Sequence, residues 1–198
     1  MKRQPARIAR RGFTLLEILL VLAILATITA ITWPSVTRMF EDYELKEATG
    51  EVREQLAATK LHSLDAGVTW QFRFEPGGRR FLVAPYEREA VIDEDEAADS
   101  LATSPRYSGR LPQDLQFQAA SESSIGSEYV PAELLFGMKD QKQLAETRWS
   151  PPQLFFSDGS AGELVFDIVD QRRHAIRLSV RGLTGAVTIS SVFSLGNR

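Results

Sequence analysis

Residues Arg10–Pro34 read RRGFTLLEILLVLAILATITAITWP: two arginines and a glycine, then a long apolar run with one acid near its start. Phe13 to Trp33 make 21 residues, and Glu17 is the only charge among them. At about 1.5 Å rise per residue a helix of that length matches the roughly 30 Å hydrocarbon core of a bilayer. The stretch therefore predicts a transmembrane helix. A carboxylate inside one costs on the order of 2.5–3.5 kcal/mol on insertion scales, so Glu17 is expected to have a function.

The flanks orient the segment. Lys2, Arg3, Arg7, Arg10 and Arg11 supply five of the 23 basic residues, and no acid precedes Glu17. Without the first twelve residues the chain has 18 bases and 26 acids, a net charge of −8 against −3 for the whole. By the positive-inside rule the basic tip stays in the cytoplasm and the acidic body crosses. An acidic body also argues against nucleic-acid binding, which needs a basic face. The 198 residues include no cysteine, which allows one modest domain beyond the membrane segment and excludes disulfides and thiol chemistry.

An ordinary secretory signal has an apolar core of about 7–15 residues closed by a small-x-small cleavage site. Here the run is longer and no Ala-x-Ala site closes it. The small residue at a plausible cut is Gly12, on the cytoplasmic side. Removing residues 1–12 would leave the apolar helix as the new N-terminus.

The run Gly12-Phe13-Thr14-Leu15-Leu16-Glu17, behind a basic leader, resembles the class III signal of type IV pilins and type II secretion pseudopilins. The resemblance implies cleavage after Gly12 by a prepilin peptidase, N-methylation of Phe13, and Glu17 as the fifth residue of the mature chain. Pro34 matches the helix-kinking proline that many members carry. The physical reading agrees: a new amine at Phe13 and the Glu17 carboxylate lie four positions apart on one helical face, and opposite charges attract strongly in hydrocarbon. The same carboxylate can instead reach the amine of a neighbouring subunit and set the register of one helix against the next. A snorkelling acid at the headgroups is the bland alternative.

Beyond Pro34, apolar positions at Val36, Met39, Phe40, Tyr43, Ala48, Val52, Leu56 and Leu61 keep a helical period, and Gly67 is a natural stop. Gly50 is a weak point within it. Val68, Trp70, Phe72 and Phe74 then alternate with polar residues, Pro76-Gly77-Gly78 predicts a turn, and Phe81–Ala84 a returning strand. Residues 87–110, with the acidic run Asp93-Glu94-Asp95-Glu96, read as an exposed loop. A calcium site there is conceivable, but no glycine-spaced ligand loop is present and a solvated charge run accounts for it. Strands are predicted at Leu154–Phe156, Leu164–Val169, Ala175–Arg181 and Ala186–Val192.

The C-terminal stretch, with Phe156, Asp158, Gly159, Ser160 and Gly185, resembles the GspH/FimT group of minor pseudopilins and minor pilins. It departs from that pattern at Ser157, Glu163 and the acidic insert. The expected organisation is α+β and pilin-like: a leader at 1–12, a long helix at 13–66 with 13–33 in the membrane, and a periplasmic β-rich domain at 67–198. The resemblance implies an inner-membrane protein with three kinds of partner: prepilin peptidase, other pseudopilins or pilins, and an inner-membrane assembly platform. Secretion and pilus systems share this signal; the lack of cysteine leans toward a pseudopilin, because many pilins close a C-terminal loop with a disulfide. A membrane-anchored periplasmic binding module is the competing class, but an anchor needs neither Gly12 nor Glu17.

No catalytic, cofactor or metal site is expected. His62 and His174 fall in different predicted elements. Asp158-Gly159-Ser160 has the spacing of a turn, not of a nucleophile elbow. Trp33 is expected at the membrane interface and Trp70 in the core.

Overall fold

The computed structural model describes residues 14–86, 106–120 and 126–196, with the backbone alone at 34–41. The chain divides into two compact units, Met1–Glu41 and Asp42–Arg198. Helix α1, Leu15–Ala66, contributes to both. It stops where Gly67 takes a left-handed φ of 67°, a conformation glycine adopts without the Cβ penalty.

In the second unit two antiparallel sheets share the buried face of α1. The first has the order β3-β2-β1-β5, from β1 (Trp70–Phe74), β2 (Arg80–Pro85), β3 (Tyr107–Arg110) and β5 (Gln153–Phe155). The second has the order β4-β6-β7-β8, from β4 (Leu115–Ala119), β6 (Leu164–Asp170), β7 (His174–Val180) and β8 (Val187–Ile189). A short β9 (Phe193–Ser194) pairs with the start of β7. Leu45, Ala48, Val52 and Leu56, at spacings of three and four on one helical face, pack with Phe72, Phe74, Phe117, Phe155 and Phe166. The Phe166 ring touches three others, at centroid separations of 6.2 Å to Phe72, 4.9 Å to Phe74 and 5.8 Å to Phe117.

The hairpin β1–β2 forms as the alternation predicts, pairing Phe72 with Val83. Its polar face is not left to water. A second core of Leu82, Ala84, Val130, Leu135, Met138, Leu144 and Trp149 covers it, using a 3₁₀ turn (Ala132–Leu135) and a short helix α2 (Gln141–Ala145). Arg73 is thereby buried and is paired with Glu128, while its Nε donates to Gln71 Oε1 at 2.7 Å.

Two corrections to the sequence reading follow. Tyr107–Arg110, expected in the exposed loop at 87–110, is a strand hydrogen-bonded to β2. The remainder of that loop, with the acidic run, lies outside the described residues apart from Arg106. Leu115–Ala119 is a further strand that the sequence reading does not assign, although its Leu115 and Phe117 alternate inward.

A Cβ added at Gly50 would meet nothing within 4 Å. Gly50→Ala is therefore expected to stabilise the head by roughly 0.5–1 kcal/mol, the propensity difference in a helix interior. The check is the denaturant midpoint of the full chain; an unchanged or lowered midpoint contradicts it.

Candidate functional site: the apolar helix, its acid and the glycine turns

The start of α1 is built by Thr14. Its hydroxyl oxygen accepts from the backbone N–H of Glu17 at 3.2 Å, and its carbonyl accepts from the N–H groups of Glu17 and Ile18 at 3.1 and 3.2 Å. Thr14 to Glu17 has the Thr-x-x-Glu spacing of a capping box. The sequence reading missed this role, although Thr-Leu-Leu-Glu was its visible signal. The cap engages Glu17 through its backbone. The carboxylate is exposed and forms no hydrogen bond or ion pair among the described residues.

From Leu15 to Trp33 the helix is long and apolar enough to cross a bilayer, and none of this stretch is buried within the chain. Two of its three threonines are bonded within the helix itself. Thr27 donates its hydroxyl proton to Ala23 O and Thr29 to Leu25 O, each at 2.8 Å, so both hydroxyls are satisfied inside the helix. The helix continues through position 34, where proline lacks the N–H that would bond the carbonyl of Ala30. Gly12 and Phe13 lie outside the described residues.

The glycines of the C-terminal pattern converge on the last turns of α1. Gly159 (φ 86°) and Gly185 (φ 56°) both take left-handed conformations, and a Cβ on Gly185 would come within 3.0 Å of the Gly159 carbonyl oxygen. Lys60 Nζ donates to Thr184 O at 2.7 Å, and the Ser63 hydroxyl, 2.7 Å from Lys60 O within the helix, also lies 3.1 Å from Phe156 O. These two turns thus clamp the helix end. Asp158 Oδ1 accepts from the Ser160 hydroxyl at 2.6 Å and its N–H at 2.8 Å. These bonds, the hydroxyl first, hold the Asp158 carboxyl below its ordinary value.

The histidines have separate neighbours. His62 stacks on Trp70 at 4.8 Å, and His174 Nδ1 lies 3.2 Å from Asp170 and 3.9 Å from Asp42. Among the described residues no group of three His, Cys, Asp or Glu side chains is placed to hold a metal. On the second sheet, Arg177 grips the buried Asp167 through two bonds of 2.8 and 2.9 Å, and the hydrogen bonds raise the Arg177 value further.

Residues 7–33 match the family model described as the prokaryotic N-terminal methylation motif. The chain carries an N-terminal methylation motif. The match takes in Arg7, Arg10, Arg11, Gly12, Phe13, Glu17 and the apolar segment to Trp33. No curated protein sequence matches the chain. Among solved structures, the minor pseudopilin EpsH from the Type 2 Secretion System of Vibrio cholerae is similar at 12% identity. That similarity covers 75% of this chain and 97% of that one, with a TM-score of 0.46.

Gly185→Ala is expected to destabilise the head by about 1–3 kcal/mol, from the positive φ and the crowded Gly159 carbonyl. Thermal unfolding of the full chain measures it, and a change within about 0.5 kcal/mol contradicts the clamp. Because the folded Asp158 carboxyl sits below its unfolded value, its stabilising effect is present above the unfolded value and is lost as pH falls through the folded one. Ser160→Ala should move the Asp158 titration midpoint upward in an NMR titration; an unmoved midpoint contradicts the assigned cause.

Proposed function

We propose that this chain is a filament subunit of the pseudopilin type, a minor pseudopilin of a type II secretion system. Prepilin peptidase cleaves it after Gly12 and methylates Phe13. The mature chain stays in the inner membrane through residues 13–33, with the head in the periplasm, until it joins other pseudopilins through the assembly platform. The observation that carries this reading is the methylation motif at residues 7–33, joined to an apolar helix whose one acid has no partner among the described residues. A plain anchor has no use for Glu17, whereas a helix entering a filament does.

In this reading Glu17 pairs with the methylated amine of an adjacent subunit. Two opposite charges in a low-dielectric setting stabilise each other, and loss of one leaves the other buried and unpaired at a cost of several kcal/mol. Thr14 holds the first turn so that the carboxylate leaves the helix at a fixed azimuth. Pro34 provides the bend or local loosening that the lost backbone hydrogen bond allows. The cysteine-free head supports secretion over a disulfide-closed pilin.

Co-expression with a prepilin peptidase should remove residues 1–12 and add one methyl group, as read by intact mass; an unchanged mass overturns the proposal. Glu17→Ala should insert and be cleaved normally, yet crosslink to partner subunits about tenfold less or worse, the equivalent of at least ~1.4 kcal/mol. Normal crosslinking in that variant would leave Glu17 without the assembly role.

A further inference from the structure

The two sheets end in the strands β3, β5, β4 and β8, and the first three of these edges are covered or charged. At β4 the β1–β2 turn takes the outward main chain of Phe117: Gly77 N–H donates to Phe117 O and Phe117 N–H to Gly78 O, both at 2.8 Å. At β5, Gly162 N–H donates to Leu154 O at 2.9 Å, and Phe155 bridges to Ala161. β3 contains Arg110 and follows Arg106, and charge on an edge opposes pairing with another strand. The β8 edge has neither protection. No residue between Arg181 and Arg198 is charged and none is proline, so Ala186–Phe193 has the composition of a strand that pairs readily.

The hydrogen-bonding phase of β8 is fixed by its inner neighbour. Arg181 N–H donates to Ala186 O at 3.0 Å and Ser190 N–H to Arg177 O at 2.9 Å. Alternation along the ladder therefore turns the main chain of Thr188 toward β7 and that of Val187 and Ile189 outward. The outward N–H and C=O groups of Val187 and Ile189 have no partner among the described residues. The side chains of Val187 and Ile189 share one face of the sheet; Val187 is half-buried against the core, and Ile189 is 44% exposed. Thr188 lies on the other face, its hydroxyl 2.7 Å from that of Ser179.

We propose that β8 pairs antiparallel with β8 of a second copy of this chain, about a two-fold axis at Thr188. In that register Val187 of one copy lies opposite Ile189 of the other, the two exchange both N–H···O bonds, and the symmetry repeats the exchange. Every outward group of β8 is then engaged. The edge is also its own complement in side chains: β-branched Val187 and Ile189 meet on one face, threonine meets threonine on the other, and no charge meets its like. Such self-complementarity is what a two-fold interface requires. The pairing uses the head alone and goes beyond the filament reading without depending on it.

The test exploits the absence of cysteine. Directly opposed residues of a non-hydrogen-bonded antiparallel pair have Cα atoms roughly 4.5 Å apart, within the range of about 4.4–6.8 Å that a disulfide spans. Full-length T188C in neutral detergent, mildly oxidised, should therefore form a disulfide-linked dimer on a non-reducing gel. V165C is the control for chains that merely share a micelle: Val165 is 44% exposed on the interior strand β6 and should yield at least about tenfold less dimer. I189P removes only an outward N–H, which an edge strand tolerates, and I189K puts a charge on the edge. In the T188C background each should lower the dimer by about tenfold with the circular dichroism spectrum unchanged, and the lysine variant decides if the proline variant alters that spectrum. A T188C chain that stays monomeric, an equal yield from V165C, or an undiminished dimer in T188C/I189K would each overturn the proposal.

Discussion

The head depends on one helical face. Leu45, Ala48, Val52 and Leu56 are buried against an aromatic layer drawn from both sheets, and each large side chain removed from water contributes about 1.5–3 kcal/mol. The two sheets exchange few hydrogen bonds with each other; they meet mainly through this helix and through the rings of Phe72, Phe74, Phe117 and Phe166. The helix gains as much as it gives. A charged, Gly50-containing helical segment has little stability alone in water, and tertiary packing supplies it. The bond from Lys60 to Thr184, with Ser63 set against Phe156, holds the helix end on the two glycine turns.

Charge burial separates the two parts of the chain by chemistry. Among the described residues of the head, the buried Arg73 and Asp167 each have an opposite charge beside them, Glu128 and Arg177, and the buried Asp170 accepts from the backbone N–H of His174. Glu17 has no such neighbour among the described residues, and the segment around it is apolar. Within water that is unremarkable. Within hydrocarbon such a charge is costly, and in the proposed reading a neighbouring subunit supplies the counter-charge.

Periodicity made much of this fold legible. The helix stop at Gly67, the β1–β2 hairpin and the C-terminal strands all announce themselves by apolar spacing and by glycines at positive φ. Tyr-Ser-Gly-Arg at 107–110 has no apolar alternation, so its pairing with β2 depends on the partner strand and cannot be read locally. Arg73 looked like the wet face of an amphipathic strand, because nothing in a strand's own sequence tells what will cover it. Of the site, the apolar length and the lone acid were plain. The cap by Thr14 was visible but overshadowed by the charge next to it.

Covering both faces of β1 has a kinetic side. Phe74 is joined to Ser150 in both directions, with the N–H of Ser150 on its carbonyl and the Ser150 hydroxyl on its N–H, across a sequence separation of 76 residues. β5, which completes the same edge of β1, lies as far along the chain. Contacts of that span close late, since loop entropy must be overcome before they contribute. In a chain made from its N-terminus, the residues that complete this edge of β1 and cover Arg73 come later. A charge such as Arg73 on an uncovered strand opposes pairing with another chain, and in the finished head Glu128 stands beside it.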